Sequence, residues 1–136
     1  MTDSGVYAAQ GGANWARAYE LDTGRERWAF HSDGDNQAIV EVDGRVVVGF
    51  HGNRTAPRPG IQYQDVPSQQ RPRRDKIFVL DARTGALDEW DASLRSTASP
   101  LGVWSLDATA DALLVGGDFE TVNGRTQQRI AIFPAE

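Results

Sequence analysis

The chain carries one short pattern twice and the beginning of it a third time, and this internal repeat constrains the fold most. Residues 19–24 (YELDTG), followed by Trp28, return as residues 78–85 (FVLDARTG), followed by Trp90. Apolar runs that end in glycine precede both copies, and a third run, residues 113–117, leads into residues 129–133. Such self-similarity is typical of repeat architectures, and short strands separated by turns favour a β-propeller over a helical solenoid.

The turn signals divide the chain into three blades within one domain, residues 1–136. The blades cover approximately residues 5–30, 36–91 and 102–134, and Asp43-Gly44 gives the strongest hairpin signal among their turns. Four strands are predicted for the middle blade, at residues 36–42, 45–51, 76–82 and 87–91. Each of the outer two blades has three predicted strands and therefore lacks one. We therefore predict an all-β fold, a partial β-propeller of about ten antiparallel strands in which the middle blade is complete.

One segment breaks the repeat. Residues 52–75 are rich in Pro, Arg and Gln and lie between the second and third strands of the middle blade. Loops of this length are usually functional or disordered, and in propellers they often line a binding surface. We expect a partly ordered insertion, because Ile61, Tyr63 and Val66 can anchor it; a solvated, mobile loop is the alternative.

Composition excludes several classes of function. The net charge of −5 argues against a nucleic-acid partner, which requires a basic face. The chain has no cysteine, so it forms neither a disulfide framework nor a thiolate metal site. No apolar stretch approaches the roughly 18 residues of a membrane-spanning helix, and the first residues lack the pattern of a signal peptide.

The third glycine-ended run belongs to a longer motif that resembles a known repeat. Residues 116–124 (GGDFETVNG), followed by residues 128–131 (QRIA), resemble the delta-60-type repeat of bacterial β-propellers. Residues 21–28 and 80–90 each contain Leu-Asp, then Thr-Gly and then Trp, and both segments are also similar to the quinoprotein (PQQ-like) propeller repeat. This resemblance implies a two-to-three-blade segment of a bacterial, actinobacterial-type protein. It also implies an extracellular or cell-envelope location and no assigned catalytic set.

Candidate ligand-binding residues come from two patterns. His51 and Asp118 follow equivalent strands in adjacent blades, so both side chains could point into one shared rim. Trp15 in a glycine-rich loop, Tyr63 in the insertion and Arg54 beside Asn53 could form a carbohydrate platform. The alternatives are that Trp15 caps a blade edge and that Asp118 bonds turn amides. One His and one Asp are too few ligands for zinc or calcium, so we predict no metal site.

No catalytic set can be assigned. The two histidines, His31 and His51, have no serine in a nucleophile-elbow context, and no pair of carboxylates stands out for glycoside hydrolysis. We therefore predict no cofactor and a non-catalytic binding or structural module with a protein or carbohydrate ligand. The alternative is a segment of a quinoprotein-like dehydrogenase or glycan-active enzyme whose catalytic residues lie outside this chain.

The outermost strands lead to an expectation about partners. The first blade lacks its opening strand and the third its closing strand, and unpaired sheet edges promote association. We expect the chain to pair with further propeller blades or to self-associate through its blade edges.

Overall fold

The computed structural model describes residues 5–97 and 102–134, and within these residues the protein is all-β. Twelve strands form four antiparallel three-stranded sheets, which confirms the predicted all-β class. Helical structure among the described residues is limited to two short 3-10 turns, Tyr63–Asp65 and Ser68–Gln70. No helix in this part of the chain is long and apolar enough to cross a membrane.

Three large sheets and one small sheet make up the fold. The first sheet contains β1 (Gly5–Ala9), β2 (Trp15–Glu20) and β3 (Glu26–His31). The second contains β4 (Asn36–Val42), β5 (Arg45–Phe50) and β6 (Ile77–Asp81). The small sheet contains β7 (Leu94–Arg95), β10 (Thr121–Val122) and β11 (Arg125–Thr126). The third large sheet contains β8 (Val103–Ala108), β9 (Ala112–Gly117) and β12 (Ile130–Pro134).

The three large sheets stack face to face in chain order. The apolar cluster between the first and second sheets includes Ala16, Ala18, Trp28, Phe30, Val46, Val48, Phe50, Phe78 and Leu80. The cluster between the second and third sheets includes Val47, Ile77, Val79, Val103, Val115 and Ala131. Strand β4 lies beside both β1 and β8. The described residues thus form a stack of sheets and not a closed ring.

The second and third sheets have the same strand pairing. Gly49 pairs with Ile77 between β5 and β6, and Gly116 pairs with Ile130 between β9 and β12. The first strands of both sheets, β4 and β8, carry a register shift at the same place in the ladder. Each position in one sheet therefore has an equivalent in the other.

The sequence repeat of residues 19–24 and 78–85 aligns the two Leu-Asp pairs, and thus Asp22 with Asp81, and this alignment is wrong. Each turn is closed by a glycine N–H that donates to the carbonyl of the strand's last residue: Gly24 to Glu20 and Gly85 to Asp81, both at 2.9 Å. Glu20 is therefore the equivalent of Asp81. The Thr-Gly pairs of the two segments occupy equivalent turn positions. The Leu-Asp pairs do not, because the first pair lies two residues later relative to its turn than the second pair does.

The predicted fourth strand of the middle blade, residues 87–91, is also wrong. A single bridge joins Leu87 to Leu80, and the chain then leaves the sheet. The Asp88 carboxylate accepts a hydrogen bond from the Trp90 N–H at 2.8 Å. Side-chain bonds of this kind compete with a sheet ladder, so the second sheet has three strands and not the predicted four.

The insertion contains less new structure than its sequence suggests. Arg54 forms a bridge with Arg73, as Thr121 pairs with Thr126 in the β10–β11 hairpin of the small sheet, which lies between β9 and β12 in the chain. Residues 52–55 and 72–75 therefore form a hairpin stem equivalent to the β10–β11 hairpin. The additional segment is residues 56–71, which we call the tip loop.

Antiparallel connections place the long and short loops at opposite ends of the stack. Tight turns at residues 21–25, 43–44, 82–86 and 109–111 form one end, which we call the turn end. The segments that follow β1, β5 and β9 form the other, which we call the loop end; it includes the tip loop. The candidate residues of the sequence analysis all lie at this end.

The two tryptophans that follow the repeated turns differ in burial. Trp28 in β3 is 5% exposed, and its indole N–H donates to the Ala82 carbonyl at 3.0 Å. Trp90 lies outside the strands, is half-buried and makes an edge-to-face contact with Phe133 at 5.3 Å. Each tryptophan nevertheless packs near the end of an outer strand of the next sheet: Trp28 near the end of β6 and Trp90 near the end of β12.

We predict that Trp28→Ala lowers the free energy of unfolding by about 3–5 kcal/mol and Trp90→Ala by clearly less. A larger cavity forms where the side chain is fully enclosed. Urea denaturation followed by circular dichroism measures both losses. Leu21→Ala, at a residue 44% exposed in the turn end, is the control with little expected change. Equal losses for the two tryptophan variants would contradict the packing described here.

Candidate functional site

An aromatic ladder crosses the loop end between the first sheet and the tip loop. The rings of Trp15 and His31 have centroids 4.6 Å apart, and those of His31 and Tyr63 stack at 5.7 Å. The guanidinium of Arg17 lies 5.0 Å from the Trp15 ring, and that of Arg71 lies 4.9 Å from the Tyr63 ring. These five side chains, hereafter the aromatic ladder, join β2 and β3 to the tip loop.

Hydrogen bonds fix the protonation state of His31 at the centre of the ladder. Its Nδ1 accepts from the Tyr63 backbone N–H at 3.0 Å, so Nδ1 carries no proton. Its Nε2 therefore carries the proton and donates to the Ala13 carbonyl at 3.2 Å. Burial lowers the pKa of His31, opposed by the Ala13 carbonyl and the charge of Asp65. The neutral imidazole is the form that holds the tip loop.

Other tip-loop contacts support the same attachment. The Ala56 N–H donates to the His31 carbonyl at 2.9 Å, and the Gly60 N–H donates to the Ala29 carbonyl at 2.8 Å. Val66 is buried, whereas Tyr63 is half-buried. The tip loop is therefore ordered against the outer edge of the first sheet, as expected from its apolar residues.

Two open clefts flank Trp15. One, of about 430 Å³, combines aromatic, apolar and planar polar side chains; its lining includes Trp15, Arg58, Ile61, Gln62, Asp65 and Gln70. The other, of about 470 Å³, lies on the His31 side and is also lined by Gln62 and Gln64. Amide, carboxylate and guanidinium groups beside an indole provide hydrogen-bond donors and acceptors around an apolar surface.

The structure brings together some of the predicted site residues. Trp15 and Tyr63 both belong to the aromatic ladder, whereas Arg54 lies in the hairpin stem and donates to the Arg71 carbonyl at 3.2 Å. Sequence reasoning missed the central role of His31 and the cleft position of Arg58. No local pattern marks either residue, because the tip loop returns to the first sheet across a long sequence separation.

The other predicted pair lies in a second cluster, nearer the third sheet. His51 and Asp118 both contact Trp104: the His51 ring lies edge-on at 4.4 Å, and the indole N–H donates to the Asp118 carboxylate at 2.8 Å. The Nε2 atom of His51 is buried without a hydrogen-bond partner in the described part of the chain. Burial lowers the pKa of His51, opposed by Asp35 and Asp118 and reinforced by Lys76.

The candidate metal-ligand types do not cluster. Within residues 5–97 and 102–134, no group of three His, Asp or Glu side chains lies close enough to hold a metal ion.

Comparison with known proteins gives a likeness of fold. No protein-family model and no curated protein matches the sequence. Among solved structures, the chain is similar to the crystal structure of the computationally designed Ika4 protein, with a TM-score of 0.58 and 13% sequence identity. The likeness covers 100% of this chain and 63% of that chain, so this chain spans less than two thirds of the designed protein. At this identity the similarity concerns the fold alone.

We predict that stability falls on acidification because of His31. A lowered pKa in the folded state means that the unfolded chain takes up the proton first, so the free energy of unfolding decreases as pH falls below about 6.5. The loss ends below the folded-state pKa. Charged groups around the ladder are Arg17, Arg71 and Asp65.

The measurement is urea denaturation between about pH 7.5 and 5.5, above the range in which carboxylates titrate. His51→Gln serves as the background, because His51 is the other histidine and its pKa is also lowered. Adding His31→Gln to this background should flatten the remaining slope of the free energy of unfolding against pH. An unchanged slope in the double variant would show that His31 does not cause it.

Proposed function

We propose that this chain is a partial β-propeller that acts as a non-catalytic binding or structural module of a bacterial surface or secreted protein. The stacking of three antiparallel sheets in chain order supports this proposal, as does the shared pairing register of the second and third sheets. The resemblance of residues 116–124 to the delta-60-type repeat supports the bacterial and extracellular assignment.

The observation that carries the binding proposal is the concentration of aromatic side chains and long loops at one end. The loop end carries the aromatic ladder, both clefts and the Trp104 cluster, whereas tight turns form the other end. Binding residues commonly lie on loops that a rigid scaffold positions. The ladder gives the tip loop a defined conformation, which reduces the entropy that ligand binding must overcome.

The chemistry of the 430 Å³ cleft favours a carbohydrate ligand over a protein. Gln62, Asp65 and Gln70 offer planar groups that can bond adjacent hydroxyls, and Trp15 offers an apolar edge. The Tyr63 ring already contacts His31 and Arg71, so we assign Tyr63 to shaping the loop and not to stacking on a sugar. We assign the ligand contacts to Trp15 and the polar side chains.

Titration with maltohexaose, cellohexaose and chitohexaose tests this proposal. We expect saturable binding of at least one oligosaccharide, measured by calorimetry and tryptophan fluorescence. Gln62→Ala should weaken it about fivefold or more, because one lost hydrogen bond costs about 1 kcal/mol. Gln128→Ala, at an exposed amide outside both clefts, is the matched control with unchanged affinity.

Two results would reject the proposal. If none of the three oligosaccharides binds, the ligand class is wrong. If binding occurs but Gln62→Ala and Gln128→Ala behave alike, the site lies elsewhere on the protein.

A further inference from the structure

The exposed face of the third sheet matches a face that is buried in the second sheet. Strand pairing makes Ile130 the equivalent of Ile77 and Ile132 the equivalent of Val79. Ile77 and Val79 are 0% and 6% exposed because the third sheet covers them, whereas Ile130 and Ile132 are 55% and 63% exposed. The third sheet thus presents the apolar surface that the second sheet uses to bind its neighbour.

The outer face of the first sheet provides the complementary half. The pairing of β1 with β2 makes Val6 the equivalent of Val46 and Ala8 the equivalent of Val48. Val46 and Val48 are fully buried against the first sheet, whereas Val6 is 39% exposed and Ala8 is exposed. This face corresponds to the one by which each later sheet contacts the sheet before it.

The charged groups of the two exposed faces disfavour contact of the third sheet with itself. On the third sheet, Asp107 pairs with Leu114 and lies on the same face as Ile132. On the first sheet, Arg17 pairs with Ala8, shares its face and forms an ion pair with Glu26. Two third sheets in contact would bring like carboxylates together, whereas the first sheet presents a paired guanidinium and carboxylate, so contact between the two different faces avoids this repulsion.

We propose that a second copy of this chain docks head to tail, with the third sheet of one copy against the first sheet of the next. The contact repeats the two sheet-to-sheet interfaces already present within one chain. It is heterologous, because two different surfaces meet, so it produces a closed ring or an open filament. The inference rests on the propeller-type stacking proposed above.

Light scattering coupled to size-exclusion chromatography tests the inference on the full chain. The wild-type protein should show a mass above the monomer value of 14.9 kDa at tens of micromolar. Ile132→Arg and Val6→Arg each place a charge in one half of the contact and should each give a monomer. Leu21→Arg, at an exposed leucine of the turn end, is the matched control that should assemble like the wild type.

Mixing the two monomeric variants separates head-to-tail docking from other arrangements. Ile132→Arg keeps the first-sheet face and Val6→Arg keeps the third-sheet face, so an equimolar mixture should form a species of twice the monomer mass. A monomeric wild type, assembly that survives Val6→Arg, or a mixture that stays monomeric would each overturn the inference. Circular dichroism verifies that each variant is folded. Oligosaccharide binding by the Ile132→Arg monomer tests the proposed function independently.

Discussion

Strands β5 and β6 carry apolar side chains on both faces, so the second sheet is stable only when another sheet covers each face. Val46, Val47 and Val48 are consecutive and all nearly inaccessible to solvent. Because side chains alternate along a strand, the first sheet must cover one set and the third sheet the other. Burial of about 25 cal/mol per Å² of apolar surface makes this double coverage the dominant favourable term for the stack.

The stack also determines how the tip loop is held. Stacking brings the ends of β3 and β5 side by side, so that the hairpin stem of the insertion starts next to Ser32, which forms a bridge with Thr55. The tip loop then runs along the outer edge of the first sheet and meets His31. Both imidazole nitrogens are used there, one as acceptor and one as donor. Because the neutral form of His31 holds the tip loop, the conformation of this loop depends on pH. Burial lowers the pKa of His31 and so sets the pH range of this dependence.

Sequence patterns predicted the strands well because their signals are local. The hairpin at Asp43-Gly44 and the apolar runs of β5, β6 and β9 lie where the sequence indicated. The fourth strand at residues 87–91 failed because the Asp88 carboxylate offers the backbone an alternative bond, which alternation of side chains does not reveal. For the candidate site, the aromatic residues in the segments that the sequence predicted as loops pointed to Trp15 and Tyr63. His31 was not identified, because its partners come from residues far away in sequence.

The proposed site and the proposed contact between copies use different parts of the stack. Ligand groups lie at the loop end, whereas Ile130, Ile132 and Val6 lie on sheet faces. They meet at the first sheet, where Arg17 extends over Trp15 and lies on the face that would receive the next copy. Docking of a copy would restrict Arg17 and, through it, one end of the aromatic ladder. Since binding free energies are reciprocal between linked sites, a ligand that contacts Trp15 would in turn change the affinity between copies.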